Sequence, residues 1–334
     1  MKTIVLIPAY MPSYRMTDLV MELHKLSYEI ILVDDGSGSK FEELFEYAGV
    51  YAKILRHRRN KGKGEALKTG LRYIKEHYEA PYIVVTADCD GQHRIEDIVK
   101  VSEAGERYPD SLVLGKRELT KSAPILSRLG NGTTRFYYFV ATGRKIYETQ
   151  TGLRAFSDRL MDKFIDLPGK RYEYEIDMML VASDIEIHQV PIQTVYFDNN
   201  SDSHFDPFKD TLTLWVQFVL YKLPSLFTAV IDYAAFAVVY LISGAFLIPN
   251  LIVRTVTFVI KYILNKKVKF SEKAGLVRYL ITSLAIILLD TAVIWGFSAL
   301  GMNVYLAKFL SGILMIGVSI GMRMLFMKST FKDE

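Results

Sequence analysis

From about Ser225 onward the charged side chains thin out and the apolar runs lengthen, so the chain divides into two parts that suit different solvents. Of its 334 residues 50 % are hydrophobic, but they are spread unevenly. Residues 1–205 alternate short apolar runs with charged stretches, as a soluble domain does. Residues 206–224 carry Trp215, Phe218 and Tyr221 and read as an interfacial juxtamembrane helix. Residues 225–328 read as four membrane spans, at about 225–246, 248–265, 276–299 and 303–325. Lys266, Lys267, Lys269, Lys273 and Arg278 fall between the second and third spans, and Lys328 and Lys332 follow the fourth. The intervening turns are uncharged, so the positive-inside rule puts both termini and the soluble domain in the cytosol. The opening run Met1–Pro8 is too short for a signal peptide, which agrees with that orientation. The single cysteine, Cys89, allows no internal disulfide. The net charge of +4 comes without a basic, aromatic-laced stripe, so no nucleic-acid partner is expected.

In the soluble part the pattern is strand, helix, strand, helix. Thr3–Ile7, Glu29–Val33, Tyr51–Leu55, Tyr82–Thr86 and Ser111–Leu114 are short apolar runs. Asp18–Leu26, Phe41–Ala48 and Lys63–His77 have helical spacing between them. This alternation indicates an α/β fold with a mostly parallel, Rossmann-like sheet covered on both faces. In such sheets ligands bind at the carboxyl ends of the strands. The polar motifs stand there: Pro8-Ala9-Tyr10, Asp34-Asp35-Gly36-Ser37 and Asp88-Cys89-Asp90-Gly91-Gln92-His93.

Asp88 and Asp90 leave a buried strand one residue apart, and two hard oxygen donors so placed can hold Mg²⁺ or Mn²⁺ while leaving positions for phosphate oxygens. Gln92 adds a third oxygen donor. Asp34 and Asp35 suit an ordinary turn and equally suit accepting hydrogen bonds from a base or ribose. The basic run Arg56–Gly64 contains two glycines ahead of a helix, which permit close approach to an anion at Lys63. It lacks the spacing of an ATPase phosphate loop.

As a set, Pro8-Ala9-Tyr10, Val33-Asp34-Asp35-Gly36-Ser37, Asn60-Lys61-Gly62-Lys63-Gly64 and Asp88–His93 resemble the family 2 glycosyltransferases. Gln150-Thr151-Gly152-Leu153-Arg154-Ala155-Phe156 and Tyr172–Met178 resemble the branch that makes dolichyl- and polyprenyl-phosphate sugars. The resemblance implies a GT-A fold over residues 1–205 and inverting transfer of one sugar from a UDP- or GDP-linked donor to a polyprenyl phosphate such as undecaprenyl phosphate. It implies that Pro8 and Tyr10 frame the base, that Asp34 or Asp35 meets the nucleoside, and that Asp90 and Gln92 bind the metal with Asp88 beside them. Arg117, Arg128 and Arg154 would hold phosphates, with Lys63 and Glu175 in the substrate site. His204, just before the membrane part, would contact the lipid phosphate. One departure is Met11-Pro12, where the family often carries Asn-Glu after the tyrosine.

The second half resembles the GtrA-like four-helix membrane proteins through Asp232, Asn265–Phe270 and Asp290. Asp232 to Asn265 and Asp290 to Arg323 are both 33-residue intervals, a faint internal repeat. The expectation is a multi-pass enzyme of the bacterial plasma membrane serving the cell envelope, with a homo-oligomer left open. Two competing readings are a lipid-sugar translocase with a regulatory soluble part and a processive polysaccharide synthase. Neither Trp215 nor Trp295 completes the Gln-x-x-Arg-Trp motif of the latter.

Overall fold

The computed structural model describes residues 1–117, 125–182, 185–193, 209–268 and 276–326. It divides into an α/β unit and a helical unit, the latter made, among the described residues, of Phe218–Phe326 together with Tyr138–Arg144.

Seven strands form the sheet of the α/β unit: β1 (Lys2–Ala9), β2 (Glu29–Asp34), β3 (Lys53–Arg56), β4 (Tyr82–Thr86), β5 (Leu112–Arg117), β6 (Arg154–Ser157) and β7 (Ile187–Ile192). Their spatial order is β3-β2-β1-β4-β6-β5-β7. The pairs β1–β2, β1–β4, β2–β3 and β5–β7 are parallel, while β6 runs antiparallel to both β4 and β5. Strands β6 and β7 have no counterpart in the periodicity reading. β6 is only four residues long, and both lie in stretches where apolar and polar residues do not alternate cleanly.

Helices α1 (Arg15–Lys25), α2 (Glu42–Ala48), α3 (Lys63–His77) and α4 (Ile95–Arg107) connect the first strands. α3 has the bounds its apolar spacing predicts, because Leu67, Leu71 and Ile74 fall on one buried face. α5 (Ile125–Thr142), α6 (Met161–Ile165) and α7 (Glu173–Val181) follow. β1 runs past the apolar stretch Thr3–Ile7, and Pro8 lies within its ladder, opposite Val33. The core is the central strands: Val5, Ile7, Leu32, Ile83 and Val85 are all inaccessible to water.

The register aligns the carboxyl ends of β2, β1 and β4. Ala9 stands opposite Asp34, and Leu6 opposite Thr86, so the residues that follow each strand emerge along one edge.

The remaining helices are α8 (Lys209–Ser243), which belongs to the helical unit from Phe218, and α9 (Leu247–Val268), α10 (Leu276–Ala299) and α11 (Val304–Phe326), which lie in it. The expected juxtamembrane helix and first span are one continuous 35-residue helix, α8. Among the described residues one stretch, Leu226–Ser243, is both long and apolar enough to cross a membrane, with mean hydropathy 1.9. Ser283–Ala299 and Val304–Ser319 are shorter apolar stretches. The distribution of this unit is inverted relative to a soluble core. Leu241, Ile242 and Ile316 are exposed, whereas Asp232, Asp290 and Lys308 are buried.

Truncating Leu6, buried in the middle of β1 against Gly70 of α3, should lower the stability of the α/β unit by about 2–5 kcal/mol. Denaturant unfolding of Leu6→Ala, followed by a probe in that unit, measures this.

Candidate active site

At the carboxyl edge of β1, β2 and β4 lies a cavity of ≈ 190 Å³. Pro8, Ala9 and Tyr10 form one wall, and Asp88, Cys89 and Asp90 form its floor. Asp35, Asn60, Gly62 and Lys63 close a second side, and Arg171 and Tyr172 a third. Thus Pro8, Tyr10, Asp35, Lys63, Asp88 and Asp90, far apart in sequence, come together as the motif positions suggest.

Asp34 and Asp35, equivalent in the sequence, differ here. Asp34 turns back to accept the Ser37 N–H at 2.8 Å and closes its own turn. The Asp35 carboxylate accepts the N–H groups of Lys61 (2.9 Å) and Gly62 (2.8 Å) and lies 2.6 Å from His57 Nδ1. His57 Nε2 in turn reaches Thr69 on α3 at 2.9 Å. A carboxylate satisfied by two backbone donors and an imidazole fixes the basic loop rather than merely tolerating it. Gly62, at φ +101°, lets that loop pass against the Lys170 carbonyl, where a Cβ would clash.

The loop delivers Lys63, the first residue of α3, to the centre of the site. Its Nζ lies 2.6 Å from Asp88 Oδ1 and 2.9 Å from Glu175 Oε1 on α7. Burial alone would favour the neutral amine, but the two carboxylates outweigh it and hold the ammonium well above the usual lysine range. Asp88 is correspondingly held well below the usual carboxylate range: Lys63, and then His93 at 3.4 Å, overcome its burial. Gly152 presses against this carboxylate from below, and a Cβ there would fall on its oxygens.

Asp90 is the opposite case. Its burial and the neighbouring Asp88 charge raise its pKa. It accepts the Gln92 N–H at 3.0 Å, and among the described residues it makes no ion pair. Cys89, between the two acids, is pushed up to about 12 by burial and by both carboxylates, so it is a thiol and not a nucleophile.

The donor set fits one hard divalent cation at Asp90. Asp88 is already paired with Lys63, while Asp90, at the cavity floor, makes no ion pair among the described residues. Among the described residues no three His, Cys, Asp or Glu side chains are grouped to hold a metal by themselves, so further ligands would have to come from water and substrate. Gln92 contributes its backbone N–H to Asp90, and its side chain is not part of the cavity wall.

Two of the arginines expected to hold phosphates, Arg154 and Arg117, lie outside the cavity wall. Arg154 is 1 % exposed and donates to the Thr151 and Glu175 carbonyls at 2.9 and 2.6 Å, bracing the floor loop against α7. Arg117 forms a forked pair with the fully buried Glu148, at 2.7 and 3.1 Å. Arg128 is on α5, and its side chain is outside the described ones; His204 lies outside the described residues.

Arg171, Tyr172 and Asn60 are wall residues to which the sequence assigns no role. Asn60 and Tyr172 each open a family-like motif, which is the signal the sequence offers. Their loop is tied down on both sides. Glu173 accepts the N–H groups of Lys170 and Arg171 at 2.9 and 3.1 Å, and Asp177 accepts that of Gly169 at 3.0 Å. Burial raises the Asp177 pKa to about 7, partly offset by that hydrogen bond.

The chain is similar to known proteins in sequence and in fold. The family model described as glycosyl transferase family 2 matches residues 5–166. A UDP-N-acetylglucosamine–dolichyl-phosphate N-acetylglucosaminyltransferase of Methanococcus voltae is 32 % identical over 215 residues, 57 % of this chain and 84 % of the relative. A dolichyl-phosphate β-glucosyltransferase of Saccharomyces cerevisiae is 24 % identical, covering 56 % and 65 % respectively. In fold, the chain is similar to glucosyl-3-phosphoglycerate synthase of Mycobacterium tuberculosis, solved with uridine diphosphate. The TM-score is 0.50 with 18 % identity, over 66 % of this chain and 79 % of that one.

Lys63→Met leaves Asp88 and Glu175 facing each other without their shared cation. Stability should fall by about 1–3 kcal/mol, less than for a fully buried pair because Lys63 and Asp88 keep some contact with water. Thermal unfolding checks this. A second expectation concerns pH. Asp177 binds its proton more tightly folded than unfolded, so its contribution is fully present below about pH 4 and is lost as pH rises through about 7. Asp177→Asn should flatten the stability–pH curve in that window and nowhere else.

Proposed function

This chain belongs to glycosyl transferase family 2, and on that premise we propose that it transfers a single sugar from a nucleotide-sugar donor to a polyprenyl phosphate at the membrane surface, with inversion. The observation that carries the reading is the convergence of Asp88, Asp90 and Lys63 on one cavity at the carboxyl edge of the sheet. The acceptor class is supported by the names of the relatives, which act on dolichyl phosphate.

In this reading Pro8, Tyr10, Asp35 and Asn60 form the nucleoside end of the cavity. Lys63, locked as an ammonium, faces the diphosphate and offsets its charge. Arg171 and Tyr172 close the sugar end. Bound at Asp90, with Gln92 beside it, Mg²⁺ or Mn²⁺ would neutralise the charge that develops on the leaving diphosphate. The acceptor is a phosphate monoester and is largely anionic near neutral pH. Its oxygen attacks the anomeric carbon as the bond to the diphosphate breaks, so no strong general base is required. Asp88 serves by fixing Lys63, and Glu175 does the same from α7. Arg154 is a positioning residue, because it braces the loop that carries Gly152 under Asp88. Arg117, Arg128 and His204 remain the groups proposed to meet the lipid phosphate.

We further read α8–α11 as a four-helix membrane bundle of the GtrA-like kind, with both termini in the cytosol. Exposed apolar side chains around buried charges support this, since such a surface is costly in water. The basic residues Lys269, Lys273, Lys328 and Lys332, on which the orientation rests, lie outside the described residues.

The test is direct. The full chain in lipid nanodiscs is incubated with Mg²⁺ or Mn²⁺, undecaprenyl or dolichyl phosphate and a panel of UDP- and GDP-sugars, and glycolipid is read by mass spectrometry. Asp90→Ala should lower product formation at least a hundredfold, about 2.7 kcal/mol of barrier. Undiminished turnover in a folded Asp90→Ala protein would contradict the assignment.

A further inference from the structure

The two cations that line the cavity are not equally available to a ligand. Lys63 is shared by the carboxylates of Asp88 and Glu175, at 2.6 and 2.9 Å, so this trio carries more negative than positive charge. Its ammonium also stands over the Tyr172 ring, 5.9 Å from the centroid. Arg171 is the other cation of the wall. Its guanidinium is exposed, and among the described residues it makes no ion pair or hydrogen bond. Asp90, on the floor of the same cavity, has no ion pair among the described residues either. An acid and a guanidinium that face one cavity without meeting suit a ligand that satisfies both.

The backbone of Arg171 is fixed while its side chain is left open. Its N–H donates to Glu173 Oε1 at 3.1 Å, and its carbonyl accepts the Tyr174 N–H at 3.3 Å. The neighbouring Lys170 carbonyl accepts the Glu65 N–H at 3.0 Å, which ties this loop to the first turn of α3. Gly62 comes so close that a Cβ there would fall 2.7 Å from Arg171 Cγ. The stem of Arg171 therefore rests on the residue that immediately precedes Lys63. A seated stem with an unspent planar fork is the form in which arginine grips a phosphate, through two parallel N–H···O bonds.

Inversion selects the phosphate. The acceptor oxygen approaches the anomeric carbon from the side opposite the leaving diphosphate. Lys63 faces that diphosphate in the reading above, so a cation seated against the Lys63 loop belongs to the leaving side. As the bond to the anomeric carbon breaks, its electron pair stays on the oxygen of the phosphate next to the sugar. Charge grows there, beside a trio that is already short of positive charge.

We propose that Arg171 is a catalytic residue: its guanidinium forks onto the sugar-side phosphate of the nucleotide-sugar donor and offsets the charge that develops on it. This rests on the glycosyl-transfer reading above. Arg171 keeps its proton throughout, and the new bond forms between the acceptor oxygen and the anomeric carbon. The role is one the sequence suggests for Arg154, which instead is buried and braces two carbonyls.

Calorimetric titration of UDP, GDP, UMP and GMP, each with Mg²⁺, into the full chain in nanodiscs reads this contact without turnover. The diphosphates carry the sugar-side phosphate and the monophosphates lack it. For the base the chain prefers, Arg171→Gln should weaken the diphosphate about tenfold or more and the monophosphate less than about twofold. Arg171→Lys should recover part of the loss, because it keeps the charge without the fork. In turnover with saturating donor, kcat should fall in the same order while KM for undecaprenyl phosphate stays unchanged. Equal weakening of monophosphate and diphosphate overturns the proposal, since the wall has then merely changed shape. So does an unchanged diphosphate affinity, or an effect confined to KM for undecaprenyl phosphate, which would place Arg171 on the acceptor. Normal turnover in both variants sinks the Arg171 assignment and leaves the glycosyl-transfer reading standing. Neither nucleotide binding nor glycolipid from the unsubstituted chain would remove that reading and this proposal with it.

Discussion

The shared ammonium of Lys63 is the interaction on which the α/β unit's site depends. Asp88 follows β4, Glu175 belongs to α7 and Lys63 begins α3, so one side chain ties three elements together. Everything nearby supports its placement. The Asp35 carboxylate sets the loop that precedes it, Gly62 gives that loop room, and Gly152 lets Asp88 sit low enough to reach it. Because Asp88 is occupied in this way, the two acids of the triplet take different tasks. One positions a cation of the protein, and the other stands at the cavity floor with no ion pair among the described residues.

The helical unit obeys the same rule. Its acids are buried, and each meets a cation and a hydroxyl. Where the α/β unit uses one cation between two acids, this unit uses two of each.

Much of this was legible in the sequence. The hydrophobic spacing of α3 and the apolar runs of β1, β2 and β4 fix the edge where Pro8, Asp35 and Asp90 meet, because parallel strands deliver their following residues to one side. Buried acids at Asp232 and Asp290 likewise required partners. What could not be read was which atoms are already taken. Arg154 reads as a phosphate ligand until the fold shows it braced on two carbonyls. Asp34 and Asp35 are alike in sequence, and only the path of the Lys61–Gly62 backbone separates them. Arg171 and Tyr172 reach the cavity through a loop held by Glu173 and Asp177, a contact set by tertiary packing rather than by local pattern. Strands β6 and β7 were missed because short strands in mixed sheets carry little periodicity.

The most direct measurement is a structure of the full chain with a nucleotide sugar and a divalent cation bound. The account predicts the diphosphate between Lys63 and Asp90, with the cation on Asp90 and the Asp88–Lys63 pair intact. A nucleotide bound away from this edge, or a cation held by Asp88 with Lys63 displaced from it, would contradict it.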